Sequence, residues 1–156
     1  MSGFSVDSRP RALLALSGCG DITSPWYTRP SPFYLQQPLV SKEEASRSIG
    51  TACVSEPQGK YDRGKFYLYC RQQGIWPKEV AGCDPDVEPR WFDSHCPVRN
   101  VSVNYPPTVL IHGTTDTNVP FEESEKMEEK LSRFKVKHEF LRVPAVTTAW
   151  VQTPRR

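Results

Sequence analysis

One stretch says most about the architecture of this chain: Tyr105-Pro106-Pro107-Thr108-Val109-Leu110-Ile111-His112-Gly113-Thr114-Thr115-Asp116-Thr117-Asn118-Val119-Pro120. Its apolar centre, residues 108–111, is short and continuous, which is typical of a parallel strand buried on both faces. Two prolines precede this run and Gly113 closes it. Asp116 then follows in the loop at the carboxyl end of the strand, where open α/β sheets build their sites. The stretch therefore predicts a buried strand followed by a carboxylate, Asp116, at the edge of the sheet where functional sites form.

A helix and a second strand are predicted directly after this loop. Pro120 suits the first helical position, and acidic residues at 122, 123 and 125 lie near the positive end of the helix dipole. Apolar residues recur on one face at Met127, Leu131 and Phe134. Residues 138–143 then read as a strand that Pro144 ends. A strand–helix–strand unit implies a parallel sheet with a right-handed crossover, so the predicted fold class is α/β.

Residues 12–16, Ala-Leu-Leu-Ala-Leu, predict another strand buried on both faces. The stretch from there to residue 107 is too long for a simple loop and carries helix signals of its own. A capping-box pattern opens a helix at residues 41–44, and residues 62–73 form a second helix that Gly74 closes. On that second helix one face is predicted to hold Phe66, Tyr69, Cys70 and Gln73.

Residues 26–34 are rich in aromatic residues and proline. Such segments are more often loop packing than pocket lining, but a site beneath them would make Trp26, Tyr27, Phe33 and Tyr34 candidates for a hydrophobic pocket. We expect residues 21–104 to be an insertion that caps the sheet. The predicted divisions are residues 1–20, the insertion at 21–104, the strand–helix–strand unit at 105–144, and a divergent tail at 145–156.

The composition is that of a soluble globular protein, with 37% hydrophobic and 24% charged residues and a net charge of +2. Neither a nucleic-acid partner nor a membrane partner is indicated, and the expected location is cytoplasmic. Five cysteines without ligand spacing are expected to be thiols rather than a disulfide framework: Cys19, Cys53, Cys70, Cys83 and Cys96. No metal and no organic cofactor is suggested.

The pattern His112-Gly113-Thr-x-Asp116-x-x-Val119-Pro120 resembles the acid loop of α/β-hydrolases of the prolyl-oligopeptidase and dienelactone-hydrolase type, which include serine esterases and peptidases. Residues 66–80 and 93–101 resemble the cap of an esterase- or peptidase-like branch, so the resemblance covers nearly all of residues 1–144. It implies a partial α/β-hydrolase fold with a helical cap, and a small-molecule ester or peptide as substrate of full-length relatives. It assigns Asp116 the role of orienting a catalytic histidine, whereas a lone Asp after a strand would ordinarily be a turn or N-cap residue.

The other two members of a Ser–Asp–His triad are not found around Asp116. The family order places His112 on the wrong side of the acid, so we interpret it as structural. No Gly-x-Ser-x-Gly elbow occurs in the chain, and residues 1–10 resemble the stretch that follows the nucleophile helix. No histidine follows His138, which is predicted to lie at the far end of its strand and to be a surface residue. The expectation is the C-terminal part of a catalytic domain, truncated and inactive alone.

Two alternatives accompany this expectation. A non-catalytic binding or assembly module could reuse the hydrolase fold, and loss of neighbouring strands would then expose a sheet edge through which the chain self-associates. The tail could also reflect a changed reading frame. Codons for residues 144–151, read one nucleotide out of register, can encode Gly-Gly-His-Asp-Ser-Leu-Gly, close to the Pro-Gly-Gly-Gly-His pattern that the family has after its last strand.

Overall fold

A computed structural model describes residues 9–49 and 64–145 of the chain. Cys53, the first eight residues and most of the predicted tail lie outside the described residues. The chain divides into two compact units, one of residues 1–21 with 96–156, the sheet unit, and one of residues 22–95, the inserted unit. The role of the inserted unit as a cap stays a prediction.

The helices and strands follow in this order: β1 (Leu13–Leu16), α1 (Pro25–Thr28), α2 (Lys42–Ser48), α3 (Gly64–Gln73), α4 (Trp76–Ala81), β2 (Thr108–Gly113), α5 (Phe121–Arg133) and β3 (His138–Val143). Short 3-10 helices occur at Tyr34–Gln36, Pro89–His95 and Pro97–Arg99. Of the described helices, not one has both the length and the apolar character needed to cross a membrane.

The sheet unit contains a parallel three-stranded sheet in the order β1-β2-β3. Leu13 lies beside Thr108, which lies beside His138, and Gly113 lies beside Val143. The parallel sheet and the helical connection between β2 and β3 confirm the predicted α/β class. Because all three strands run the same way, their carboxyl ends share one edge, and Asp116 follows from the middle strand at that edge.

Helix α5 covers one face of the sheet. Met127 and Leu131 pack with Leu110 of β2 in the core, and Phe134 is packed against this cluster. The predicted apolar face of the helix is therefore confirmed. Pro120 precedes the helix as its N-cap, and its carbonyl accepts a hydrogen bond from the Glu123 amide at 3.0 Å.

The other face of the sheet is partly open. Leu14 and Leu16 of β1 are 64% and 67% exposed, and Leu141 of β3 is 43% exposed. The prediction that residues 12–16 are buried on both faces is wrong, since side chains alternate along a strand and α5 covers only the face that carries Ala15. The sequence pattern could not reveal this, because an apolar run looks the same whether or not a second layer covers it.

A hydrogen-bonded network fastens the sheet unit at the two points where the chain passes to and from residues 22–95. The Asp21 carboxylate accepts bonds from the Arg99 guanidinium, the shortest at 3.0 Å, and from the Cys96 thiol at 3.2 Å. The Asp21 amide donates to the buried Glu123 carboxylate of α5 at 3.1 Å. Residues 96–101 belong to the sheet unit for a further reason, since Val98 and Val101 pack in its core.

The inserted unit is organised around a buried cation on α3. The Arg71 guanidinium is fully buried and lies 4.6–5.7 Å from the centres of four aromatic rings, Trp26, Tyr27, Tyr34 and Tyr67. It donates hydrogen bonds to the Tyr67 hydroxyl at 2.8 Å and to the Trp26 carbonyl at 3.2 Å. Rings of this kind stabilise a desolvated guanidinium through their negative faces.

The residues predicted to share a face of the second helix differ in burial. Cys70 is buried and Gln73 is exposed, while its neighbours Arg71 and Gln72 are buried. Gln72 is satisfied by backbone groups: its amide nitrogen donates to the Tyr34 and Pro38 carbonyls, and its oxygen accepts from the Val40 amide. The burial of such polar residues cannot be predicted from the spacing of apolar residues.

The predicted start of α2 and the predicted end of α3 are present, whereas the predicted start of the second helix at residue 62 lies outside the described residues. Ser41 is the N-cap of α2, and its hydroxyl accepts a hydrogen bond from the Glu44 amide at 3.1 Å. The Glu44 carboxylate pairs with Lys65 at 2.6 Å. Gly74 follows α3 with a φ of 70°, and a Cβ there would meet the Arg29 carbonyl carbon at 2.4 Å. Only glycine fits this turn.

Candidate active site

Asp116 is held in a tight loop just past the carboxyl end of β2. Its Oδ1 accepts hydrogen bonds from the backbone amides of Asn118 at 2.8 Å and Val119 at 3.0 Å. Its own amide donates to the Gly113 carbonyl at 3.2 Å. This is an Asx turn, in which the carboxylate closes the loop that follows it. The carboxylate is buried and its orientation is fixed by the backbone.

His112, the histidine of the motif, lies beneath this loop. The ring is buried, with Nε2 3.0 Å from the Val119 carbonyl and Nδ1 2.7 Å from the Ser124 hydroxyl of α5. A carbonyl only accepts, so Nε2 carries the hydrogen, and in the neutral ring Nδ1 accepts from Ser124. The Asp116 Oδ2 lies 3.4 Å from the same Nε2. With both nitrogens engaged inside the protein, His112 has the geometry of a structural residue.

Aromatic packing supports the loop from the helix side. The Phe121 ring meets His112 edge-on at 5.7 Å between centres and stacks on Phe140 of β3 at 5.3 Å. The ring layer joins the loop, the start of α5 and the third strand. The loop is therefore backed by packed side chains as well as by hydrogen bonds.

The chain after β3 leaves the sheet at the edge that carries Asp116. The Thr114 amide donates to the Val143 carbonyl at 3.0 Å, and the Thr114 hydroxyl accepts from the Ala145 amide at 3.1 Å. Ala145 has a φ of 55°, in the left-handed region that glycine adopts most easily. Two hydrogen bonds of one threonine thus hold the start of the segment in which the resemblance places a catalytic histidine.

His138 lies at the other end of the sheet. It pairs with Thr108 at the beginning of β2, roughly 17 Å of strand away from Gly113 at about 3.3 Å per residue. Its ring nitrogens lie 2.8 Å from the Val136 carbonyl and 3.2 Å from the Ser132 hydroxyl. The structure thus separates His138 from Asp116 and gives it local partners.

The four aromatic candidates of the inserted unit have different surroundings. Trp26, Tyr27 and Tyr34 surround Arg71, and Tyr27 and Tyr34 are buried. Phe33 is exposed and packs edge-on against Tyr34. The first three are interior packing around a cation, and nothing in their arrangement identifies a substrate pocket.

Two residues of the loop's support were not anticipated from the sequence. Ser124 binds His112, and Thr114 binds the chain after β3. Ser124 is four residues after Pro120, among the acidic residues at the start of the helix, so only its spacing from the loop could have indicated it. In the part of the chain that the structure describes, no group of three or more His, Cys, Asp or Glu side chains is arranged to hold a metal ion.

Comparison with known proteins adds independent information. The chain matches the model of the prolyl oligopeptidase family over residues 67–147, just over half of its length. This match includes α4, β2, the acid loop, α5 and β3. No match was found among curated proteins.

Several solved structures resemble the chain. A Staphylococcus aureus protein of unknown function superposes with a TM-score of 0.68 at 21% identity, over 92% of this chain and 50% of that one. A puromycin-hydrolysing peptidase from Mycobacterium tuberculosis gives 0.46 at 16% identity, over 88% and 15%. An acetyl ester-xyloside bifunctional hydrolase from Caldicellulosiruptor lactoaceticus gives 0.42 at 16% identity, over 92% and 38%.

The chain thus spans about half the length of the Staphylococcus aureus protein. Its three parallel strands and flanking helices are part of an α/β-hydrolase fold, as the resemblance of the acid loop implied. The family match covers both the acid loop and the elements that hold it, and the chain belongs to the prolyl oligopeptidase family.

Proposed function

We propose that this chain supplies the acid, Asp116, of a serine hydrolase that cleaves esters or peptide bonds, and that the 156 residues alone do not turn over substrate. The observation that supports the acid role is the fixed carboxylate, with Oδ1 held by two backbone amides at the functional edge of the sheet. A carboxylate that orients an imidazole must hold one direction through the catalytic cycle.

The chemistry divides among three groups. A serine hydroxyl attacks the acyl carbonyl while an imidazole takes the hydroxyl proton, and the same imidazole returns that proton to the leaving group. The acid accepts the imidazole N–H and stabilises the imidazolium, without taking the proton itself. Water then hydrolyses the acyl-enzyme by the same relay.

Within the 156 residues, a Gly-x-Ser-x-Gly elbow is missing and no histidine follows His138. The attacking serine and the proton-transferring imidazole would have to come from other protein segments. Removal of the serine or the histidine of such a triad costs nearly all of its contribution to the rate. We therefore expect no turnover from the isolated chain.

The segment after β3 is the place where the family's histidine would enter. The left-handed φ of Ala145 supports the frame hypothesis, because the shifted reading places glycine directly after Pro144. The nucleotide sequence tests it. If no other frame there encodes Gly-Gly-His, the frame hypothesis is wrong and the acid role is unaffected.

The activity itself is tested with a p-nitrophenyl ester and a peptide p-nitroanilide. The purified chain and its Asp116→Asn variant should both hydrolyse them at the background rate. Turnover that Asp116→Asn abolishes would contradict the proposed inactivity.

The acid role is tested in a protein that carries this sequence together with a serine elbow and a C-terminal histidine. There Asp116→Asn is expected to lower kcat by about 10⁴-fold, the loss typical of a misoriented triad histidine. Asp86→Asn, a change at an exposed position of the inserted unit, is the matched control and should leave kcat unchanged. Equal kcat values for the Asp116 variant and the control would overturn the assignment.

A second candidate function is a non-catalytic assembly module. The exposed Leu14 and Leu16 on β1 favour it, since an open apolar sheet face beside a strand edge invites association. Size-exclusion chromatography separates the alternatives, because a stable, cooperatively unfolding monomer would argue against association through this face.

A further inference from the structure

We propose that His112 and Ser124 are positioning residues that lock the acid loop, so that the Asp116 carboxylate keeps one orientation. The inference rests on the proposed acid role of Asp116. It deepens that proposal by assigning a task to a buried histidine and a helix serine that take no direct part in the relay.

The lock consists of two interlinked turns. Asp116 Oδ1 holds the amides of Asn118 and Val119, while the carbonyl of the same Val119 accepts the His112 Nε2 hydrogen at 3.0 Å. One residue of the loop is thus held from both sides of its backbone. If the His112 bond were lost, Val119 could rotate, and the two amides that aim the carboxylate would move with it.

The Val119 carbonyl, which can only accept, requires the hydrogen on Nε2 of His112, and the Ser124 hydroxyl supports this ring form from the other side. This hydroxyl lies 2.7 Å from Nδ1, and both side chains are buried. As a donor to Nδ1 it favours the ring form with hydrogen on Nε2, the form that the Val119 carbonyl requires. The other tautomer would place a bare Nε2 against a carbonyl oxygen, with two acceptors facing each other in a dry site.

The position of Ser124 gives the lock a rigid base. Ser124 lies in the first turn of α5, beside Glu123, whose carboxylate holds the Asp21 amide at 3.1 Å and Lys126 at 2.7 Å. The helix start is therefore tied to the sheet unit independently of the acid loop. A positioning residue must itself be held rigidly if it is to keep its partner, here His112, in one orientation.

Amide hydrogen exchange of the full chain, followed by NMR, tests the lock. Ser124→Ala should speed exchange of the Asn118 and Val119 amides by about three- to tenfold, the effect of one weakened hydrogen bond. Exchange at Leu110, in the core of β2, reports global opening and serves as the internal reference. We expect the ratio of the loop exchange rate to the core exchange rate to rise. Overall destabilisation alone would not raise this ratio.

Ser124→Thr is the matched variant that keeps the hydroxyl. Ser124 also lines an apolar pocket of about 280 Å³ beside Met127, which leaves room for the added methyl group. The threonine variant should restore slow loop exchange and the long-range ¹⁵N signals of an Nε2–H imidazole at His112.

A second pair of variants acts on the histidine. His112→Gln keeps an N–H that can reach the Val119 carbonyl and should protect the loop better than His112→Leu does. Unchanged loop exchange in both Ser124→Ala and His112→Leu would overturn the proposal, as would equal loss of protection in the alanine and threonine variants. These measurements read loop opening and not turnover, so failure of the proposed hydrolase role would leave their outcome unchanged.

Discussion

Asp116 has a structural task in its loop besides the chemical task that we propose for it, and substitutions can separate the two. Asp116→Ala removes the acceptor of two backbone amides and should lower the free energy of unfolding by about 1–3 kcal/mol. Asp116→Asn keeps an oxygen that can accept both bonds, so its cost should be clearly smaller. Urea unfolding of the two variants measures the difference, and equal losses would show that the negative charge, not the acceptor geometry, stabilises the loop.

Cys70 is a residue whose chemistry is suppressed by its surroundings. The side chain is fully buried, and burial together with the Glu79 charge raises its pKa from 9.0 to about 12. The native thiol should therefore resist iodoacetamide at pH 8, whereas the partly exposed Cys19 should react. Peptide mass spectrometry of labelled native chain checks this, with labelling in urea as the positive control.

The same shift has a consequence for stability at high pH. Between pH 9 and pH 12 the unfolded chain loses the Cys70 proton while the folded chain retains it. The contribution of Cys70 to stability is thus fully present below pH 9 and decreases as the pH rises toward 12. Cys70→Ala should flatten this part of the stability profile, and an unchanged slope would contradict the assignment.

At the scale of the secondary-structure elements, α3 depends on a cation that the sequence pattern did not mark as buried. Arg71→Lys should destabilise the inserted unit by about 2 kcal/mol, because an ammonium cannot stack among four rings or keep the fork of hydrogen bonds to Tyr67 and Trp26. Thermal unfolding followed by tryptophan fluorescence measures the loss. Arg90→Lys, at an exposed position of the same unit, is the control. A similar effect of both changes would refute a special role for the stacked guanidinium.

The elements that the sequence predicted best are those with a complete local signal. The strand predicted at 108–111 lies within β2, and the helix with Met127, Leu131 and Phe134 and the strand at 138–143 are also present. Each has a typical residue pattern and defined ends. Ser41 likewise caps its helix as its spacing to Glu44 indicated. Local sequence is informative here because tertiary packing agrees with it.

The features that could not be predicted from the sequence depend on contacts between residues that are far apart along the chain. The burial of Arg71 requires rings from residues 26–34, and the support of His112 requires a serine on the following helix. Neither contact produces a periodic pattern in the sequence. The position of Asp116 was predictable because strand ends in parallel sheets meet at one edge, whereas the orientation of its carboxylate came only from the structure.

At the scale of the whole molecule, the residues that the structure describes cover one face of the sheet and leave the other partly exposed. Helix α5 buries Leu110 and Phe140 against its own apolar stripe, while Leu14, Leu16 and Leu141 remain exposed opposite. In parallel sheets both faces are normally covered, so an open apolar face is a surface that association can bury. Among the described strands β1 is an edge strand: the Leu13 amide donates to the Pro107 carbonyl and the Ser17 amide to the Ile111 carbonyl, while alternate residues direct their backbone groups away from β2.

We therefore expect the isolated chain to self-associate in a concentration-dependent way, and Leu14→Lys combined with Leu16→Lys to shift it toward monomer. Lysine on an exposed strand position opposes pairing by charge and removes apolar area without cutting into the core. Leu39→Lys is the matched control, since Leu39 is 72% exposed and belongs to the inserted unit rather than to a strand of the sheet. Light scattering coupled to size-exclusion chromatography over a range of concentrations reports the mass of each protein. A monomeric parent chain, or equal effects of the strand variant and the Leu39 control, would show that the open face of the sheet does not drive association.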